Sequence, residues 1–478
     1  MQATRQDSQS PNTECQRGLS LDGGGIYGLT TAILLRQLCD DNPDFLTPNN
    51  VDLFAGTSAG AVNAILLAQE DNPRDAVMNG TLEKFWKDQR VYAGYIDKKD
   101  PFNFMNAWKE FYSNIGLMSY FAGEPFLEVL GEYFKVKTLG ELKHRVMITT
   151  YDIYGDERQE PRQWQPKIFY NFPDASPYLD QNLVELAYSA GTLPGLRKCI
   201  NGLVDGGLYI PNPSTNTITK LIEQQRYNYM VRENTTKAQR NSIANDLPEK
   251  IDRMPSIGLE NPNPLLRQNI VLNDTPEKLA ADLEPLLNKP VSHKVTFEQI
   301  FTVLIGKSQL DALGADINTI LLFEQLIDNL LGESQINAFT NQAIGKAMKN
   351  VSVLSIGVGT KTPAYYLKKF EMSTLQFAMS PVNPLKGNWF NPLTYLMLDA
   401  PSEEMTYTSD QLIGERYFRL NPPILGAPES YPLLPATFAA RNPIIKDIIV
   451  NQVIKATQTS VASEGVRQAS RYIKSWWQ

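Results

Sequence analysis

Short apolar runs that end at glycines alternate with stretches whose apolar residues fall at helical spacing. Residues 18–21 and 51–55 read as buried strands. The first runs into Asp22-Gly23-Gly24-Gly25 and then a helical pattern with Leu29, Ile33, Leu34 and Leu38 on one face. The second runs into Gly56-Thr57-Ser58-Ala59-Gly60, followed by a helix over 61–68. Strand, tight glycine turn and helix, twice in succession, predict an α/β sheet. Further strands are expected at 146–150, 168–170 and 351–356, and these complete one central sheet.

The stretch 217–350 changes character, becoming rich in Gln, Asn, Leu and Glu, with helical spacing at Phe297, Ile300, Phe301 and Leu304 and again at Ile320, Phe323, Ile327 and Leu330. It reads as a helical insertion that caps the groove and opens on a membrane or an activating protein partner, or else as an independent module. Residues 1–16 form a polar tail, 17–216 and 351–425 the domain built on the sheet, and 426–478 a C-terminal helical extension behind a proline-rich loop.

Composition narrows the function classes. With 42% hydrophobic and 20% charged residues among 478, the chain buries a large core in the ordinary globular manner. A net charge of −7 supplies no global basic field, so nucleic acid is not expected as a partner. Three cysteines, Cys15, Cys39 and Cys199, make neither a disulfide framework nor a metal cluster and point to a reducing compartment. The N-terminus lacks the apolar core of a secretory signal, and no stretch is long enough to span a bilayer. The expected location is cytoplasmic with peripheral membrane association, export without a classical signal remaining open.

The candidate chemistry lies in the turns. Gly56 to Gly60 fits GxSxG, a sharp strand-to-helix turn that projects the Ser58 hydroxyl. The glycines at 23, 24 and 25, one strand-helix unit earlier, offer backbone N–H groups at a helix start for a developing oxyanion. A second reading of that loop is the dinucleotide fingerprint, since Gly23, Gly25 and Gly28 satisfy GxGxxG. That reading requires an acid at the end of the second strand, whereas Asp52 stands at its start. A serine also needs a base, and the chain holds two histidines, His144 and His293. Ser58, Asp205 and His293 formally meet the order of an α/β-hydrolase triad. His293 lies in the insertion without a strand-end context and His144 precedes a strand in a charged loop, so Asp205, in a turn with Gly206 and Gly207, is the preferred base.

Taken in order, DGGG, GTSAG, AYSAGTLPG and DGGLYIPNP resemble the patatin-like phospholipases over roughly residues 17–215 and 347–425. The resemblance implies a three-layer α/β/α sandwich around a mostly parallel sheet, no cofactor and no metal. It implies a Ser and Asp dyad that hydrolyses fatty-acyl esters of phospholipids, lysophospholipids or other acyl lipids. Position by position, it implies Ser58 as nucleophile, Asp205 as base and Gly23, Gly24 and Gly25 as the oxyanion loop, with Gly56, Gly60, Gly206 and Gly207 supporting the site. Ala187, Ser189, Ala190 and Pro194 match a helix beside the dyad. The chain departs from the pattern at Tyr27, where the family carries Arg or Lys, and in the length of 217–350. A non-catalytic lipid- or protein-binding member of the fold is the competing class.

Aromatic residues mark further candidates. Phe102, Phe104, Trp108, Phe111, Tyr112, Met118, Tyr120 and Phe121 read as a helical cap packed by its own apolar residues, or as a lid that rests on the membrane. The same two readings apply to Trp389 and Phe390. Trp476 and Trp477, being terminal, are the better interfacial pair.

Overall fold

The computed structural model of the chain describes residues 15–93, 121–155, 161–172, 178–194, 197–232, 348–359, 392–423 and 440–477, with isolated positions 278 and 282. Seven strands among them form one sheet: β1 (Gln16–Leu21), β2 (Leu53–Thr57), β3 (Val146–Asp152), β4 (Gln165–Tyr170), β5 (Leu203–Asp205), β6 (Val351–Ile356) and β7 (Tyr417–Leu420). The spatial order is β4-β3-β2-β1-β6-β7, with β5 also paired to β3. β2, β1, β6 and β7 run parallel, as do β2 and β3, while β4 and β5 are antiparallel to β3.

The strands are apolar on both sides because helices cover both sides of the sheet. Alternation along each strand decides which layer a residue joins. Leu19, Leu21, Phe54, Val146, Ile148, Leu354 and Ile356 enter the larger core. That core is closed by α1 (Gly28–Asp41), α2 (Ala59–Ala68) and the helices between Pro73 and Lys87. The C-terminal helices Pro443–Thr457 and Ser460–Trp476 complete the same layer. Leu53, Ala55, Met147, Val351 and Val353 face the other way, against the helices Ser214–Arg232 and Pro392–Ile413. The result is a mostly parallel sheet sandwiched between two helical layers, as expected.

Several elements differ in extent from the sequence reading. The second strand sits two residues further along, at Leu53–Thr57, and so delivers the chain directly to Ser58. Residue 217, where the insertion is expected to begin, falls inside the helix Ser214–Arg232. Ile218 and Leu221 of that helix are buried on the sheet, and the missing side chain of Gly18 leaves room for Thr217 and Leu221 against β1. The rest of the insertion calls, from Phe297 to Leu330, lie outside the described residues, as do His293, Trp389, Phe390 and the aromatic stretch except Phe121. Phe121 is fully buried.

Trp477 corrects an expectation. Its side chain is 1% exposed, with its ring 5.6 Å from that of Phe45, and its carbonyl accepts from Asn50 Nδ2 at 3.1 Å. The side chain joins the apolar core that contains α1 instead of facing a membrane. Trp476 is half-buried against the same core. Trp477→Ala should therefore lower unfolding stability by about 3–5 kcal/mol in urea titration, as for a large buried aromatic. A loss under about 1 kcal/mol together with weaker vesicle binding would reinstate the surface reading.

Candidate active site

Sheet registry brings the site together. β4 occupies one edge of β3 along Met147–Asp152. On the other edge, β2 ends at Thr57, opposite Thr149, and β5 ends at Asp205, opposite Thr150. The two strands run towards each other along that edge and their C-terminal ends meet at neighbouring positions of β3. Ser58 follows the first end and Asp205 closes the second. Ser58 Oγ donates to Asp205 Oδ2 at 2.6 Å.

The turn at Ser58 is strained in a useful direction. Ser58 has φ 53° and ψ −120°, a backbone conformation that residues with side chains rarely adopt. It throws the hydroxyl out of the sheet while α2 starts at once behind it. The turn is tight enough that a side chain at Gly56 would strike the Gly60 carbonyl, and one at Gly60 would strike the backbone of Leu21 and Asp22. These close approaches explain the two glycines of the pentapeptide. A side chain at Gly206 would likewise meet Thr149. Gly207 donates its N–H to Asp205 Oδ1 at 2.7 Å, so the second carboxylate oxygen is held by the turn that follows it.

Asp205 is 1% exposed, and its pKa is pushed up to about 7. Burial is the main cause; the hydrogen bonds from Ser58 and Gly207 and the charge of Arg197 oppose it. Arg197 is itself buried, its pKa lowered to about 10 by desolvation. It lies over the rings of Phe126 and Phe121, with centroids at 4.1 and 5.2 Å, and donates to the carbonyl of Val91 at 2.6 Å. Sequence reading does not single out Arg197; the basic pair Arg197-Lys198 just after Leu193-Pro194-Gly195-Leu196 is the available signal.

The glycine loop lies directly against the serine. A Cβ at Gly23 would sit 3.0 Å from that of Ser58. The Gly23 N–H, however, donates to the carbonyl of Pro211 at 2.9 Å. Among the described residues, the N–H groups of Gly24 and Gly25 make no hydrogen bond, and Gly25 takes φ 53°. Asp22, at the head of the loop, forms a forked ion pair with Arg419 of β7, at 2.7 and 2.5 Å. Arg419 escaped the sequence reading entirely. Tyr27, where the family pattern has a cation, is buried among the apolar residues of the larger core, and burial drives its hydroxyl pKa upward.

The dinucleotide reading finds no support in this geometry, and His144 lies away from the serine; the triad through His293 falls outside the described residues. Asp52 accepts from the N–H and Nε of Arg17 at 2.8 and 3.4 Å, at the start of β2 and away from the glycine loop. His144 precedes Val146, which pairs with Phe54 at the opposite end of β2 from Ser58. Some six residues of strand separate the two levels, on the order of 15–20 Å. The His144 ring packs edge-on to Phe54.

Comparison with known proteins agrees with this frame. Residues 19–217 match the family model described as patatin-like phospholipase. The chain is similar to CotR of Bacillus subtilis, named as a sporulation hydrolase, at 26% identity over 203 residues, covering 42% of this chain and 56% of that protein. It is similar to patatin-like protein 2 of Arabidopsis thaliana at 26% identity over 226 residues, or 43% of this chain and 52% of the relative. Patatin-2-Kuras 4 of Solanum tuberosum is 29% identical over 184 residues, 37% of this chain and 43% of its own length. The chain thus spans about half the length of the relatives it matches. No helix among the described residues is long and apolar enough to cross a membrane. The mostly parallel sheet and the serine turn thus accompany a segment, residues 19–217, that matches the patatin-like phospholipase family.

Proposed function

We propose that this protein is a serine acyl hydrolase that cleaves fatty-acyl esters of lipids, with Ser58 as nucleophile and Asp205 as its base. The observation that carries the reading is the 2.6 Å hydrogen bond from Ser58 Oγ to Asp205 Oδ2 at a strained turn packed against the glycine loop. The family supports an acyl-lipid substrate.

In the acylation step Asp205 removes the hydroxyl proton as Ser58 Oγ bonds to the ester carbonyl carbon. The carbonyl electron pair moves onto oxygen, where the Gly24 and Gly25 amides and the N-terminus of α2 receive the charge. As the carbon–oxygen bond to the alcohol breaks, the protonated Asp205 returns its proton to the leaving oxygen. Water then gives a proton to Asp205 and attacks the acyl-enzyme; Ser58 leaves and recovers the proton, and the fatty acid departs. A carboxylate with an ordinary pKa is a weak partner for a hydroxyl, and burial of Asp205 narrows that mismatch.

Fatty-acid release from phospholipid vesicles tests the reading. Ser58→Ala and Asp205→Asn should each reduce it by at least about 10³-fold, and the double variant should lose little more than either single one. Multiplying losses, or a folded Ser58→Ala variant that keeps its rate, would end the assignment. Because the base works as the anion, kcat/KM should rise with pH through a single ionisation near 7. Replacing His144 and His293 together by Gln should leave the rate within about tenfold of wild type, whereas loss of a triad base costs several orders of magnitude.

The same shift sets a stability effect with a definite sign. Folding raises the Asp205 pKa from 3.8, so the protonated form is the one the fold favours. Stability contributed by that proton is present below the ordinary carboxylate range and is lost as pH rises to about 7. Asp205→Asn escapes this loss. It should stabilise the protein at pH 8 by up to about 4 kcal/mol, and progressively less towards pH 4, in thermal or urea unfolding. An equal effect at both pH values would show that the carboxyl titrates normally.

A further inference from the structure

The glycine loop has no cation of its own, since Tyr27 occupies the position where the family pattern carries one and is buried in the core. A cation nevertheless reaches the loop from the other end of the chain. Arg419 lies on β7, two strands away from β1 and beyond the matched segment 19–217. Its Nη1 donates to Asp22 Oδ1 at 2.7 Å and its Nη2 to Asp22 Oδ2 at 2.5 Å, with both side chains largely excluded from solvent. We infer that Arg419 is a positioning residue for the oxyanion loop, fixing the Asp22 carboxylate and thereby the aim of the Gly24 and Gly25 amides.

Several contacts make this more than a buried ion pair. Nη1 of Arg419 also donates to Ser355 Oγ at 2.7 Å, and Ser355 Oγ donates to Asn212 Oδ1 at 3.3 Å. Asn212 follows the base turn; its Nδ2 donates to Thr406 Oγ1 at 3.1 Å, and its neighbour Pro211 accepts the Gly23 N–H. The Asp22 N–H itself donates to the Ile356 carbonyl at 3.1 Å. One connected set of hydrogen bonds therefore spans the glycine loop, the end of β6, the segment after Asp205 and β7. A planar fork gripping both carboxylate oxygens fixes orientation as well as distance, which a single ammonium does not. Oxyanion donors act only if they are aimed before the charge develops. With Asp22 neutralising it, Arg419 is not a free cation for a substrate head group, and its effect passes through the loop.

This inference rests on the hydrolase reading for its rate effect, but not for its geometry, so two readouts are taken on the full chain. The first is kcat and KM for a soluble p-nitrophenyl ester; the second is backbone hydrogen exchange at the Asp22 and Gly23 amides. Arg419→Gln should lower kcat about ten- to hundredfold, the scale of an ångström-level misplacement, while KM stays within about threefold. The pH midpoint should not move, because Asp205 is untouched. Exchange at Asp22 and Gly23 should quicken while the rest of β1 stays protected. Arg419→Lys should recover part of both effects. If the single Gln variant does not fold, the neutral pair Asp22→Asn with Arg419→Gln, which leaves no unpaired buried charge, carries the same test. A folded variant with kcat within about threefold of wild type and unchanged exchange would overturn the inference, as would a fall in kcat that travels with the pH midpoint. If the wild type shows no Ser58-dependent turnover, the hydrolase reading falls, and the exchange result alone decides whether Arg419 holds the loop.

Discussion

Everything at the candidate site depends on one constraint, the meeting of two strand ends along a single edge of β3. Parallel β2 and antiparallel β5 share that edge, and Thr149 and Thr150 of β3 set their final residues side by side. A one-residue slip of β5 would turn Asp205 to the opposite face of the sheet, because strand side chains alternate. Thr57 Oγ1 and Thr149 Oγ1 lie 2.7 Å apart and tie the same junction laterally. The backbone N–H of Asp205 donates to the Thr192 carbonyl at 2.9 Å, so the helix Leu183–Ala190 and its following turn brace the short strand from outside.

Charge at this junction is set by packing. Asp205 is placed where water does not compensate its negative charge, and the oxygen that does not hold Ser58 is given one backbone donor. Arg197, buried against two phenylalanine rings, keeps the carboxyl pKa from rising further. The strained φ of Ser58 and the buried charge both cost folding free energy, which the two apolar layers on either side of the sheet must offset. That pattern, local cost held in place by a well-packed surround, is what a preorganised catalytic site requires.

Much of this was legible in the sequence because sterics wrote it there. Gly56 and Gly60 are glycines since backbone from β1 and α2 passes within contact of them, and a GxSxG pattern carries that information directly. Long apolar strands such as β6 were read at their true ends, 351 and 356. The three-residue β5 was not, for so short a run has no periodicity of its own and exists only through its pairing with β3. Gly23 read as a donor equal to its neighbours, but the Pro211 carbonyl that engages it is set by tertiary contact. Arg419 stands 397 residues from Asp22, in a strand with ordinary composition, and no local pattern announces such a pair. Trp477 was misread for a related reason: a terminal aromatic has the same sequence whether it folds inward or outward.

The central claim is that Ser58 and Asp205 act as one unit whose proton balance is set by burial. Its most direct measurement is the rate at which an alkyl fluorophosphonate modifies Ser58 as a function of pH, followed by intact mass and peptide mapping. The account predicts a single adduct on Ser58, forming faster as pH rises through one ionisation near 7 in the wild type, and forming slowly and without that step in Asp205→Asn. Labelling of another serine, or a Ser58 rate in Asp205→Asn that keeps the wild-type magnitude and pH step, would contradict it.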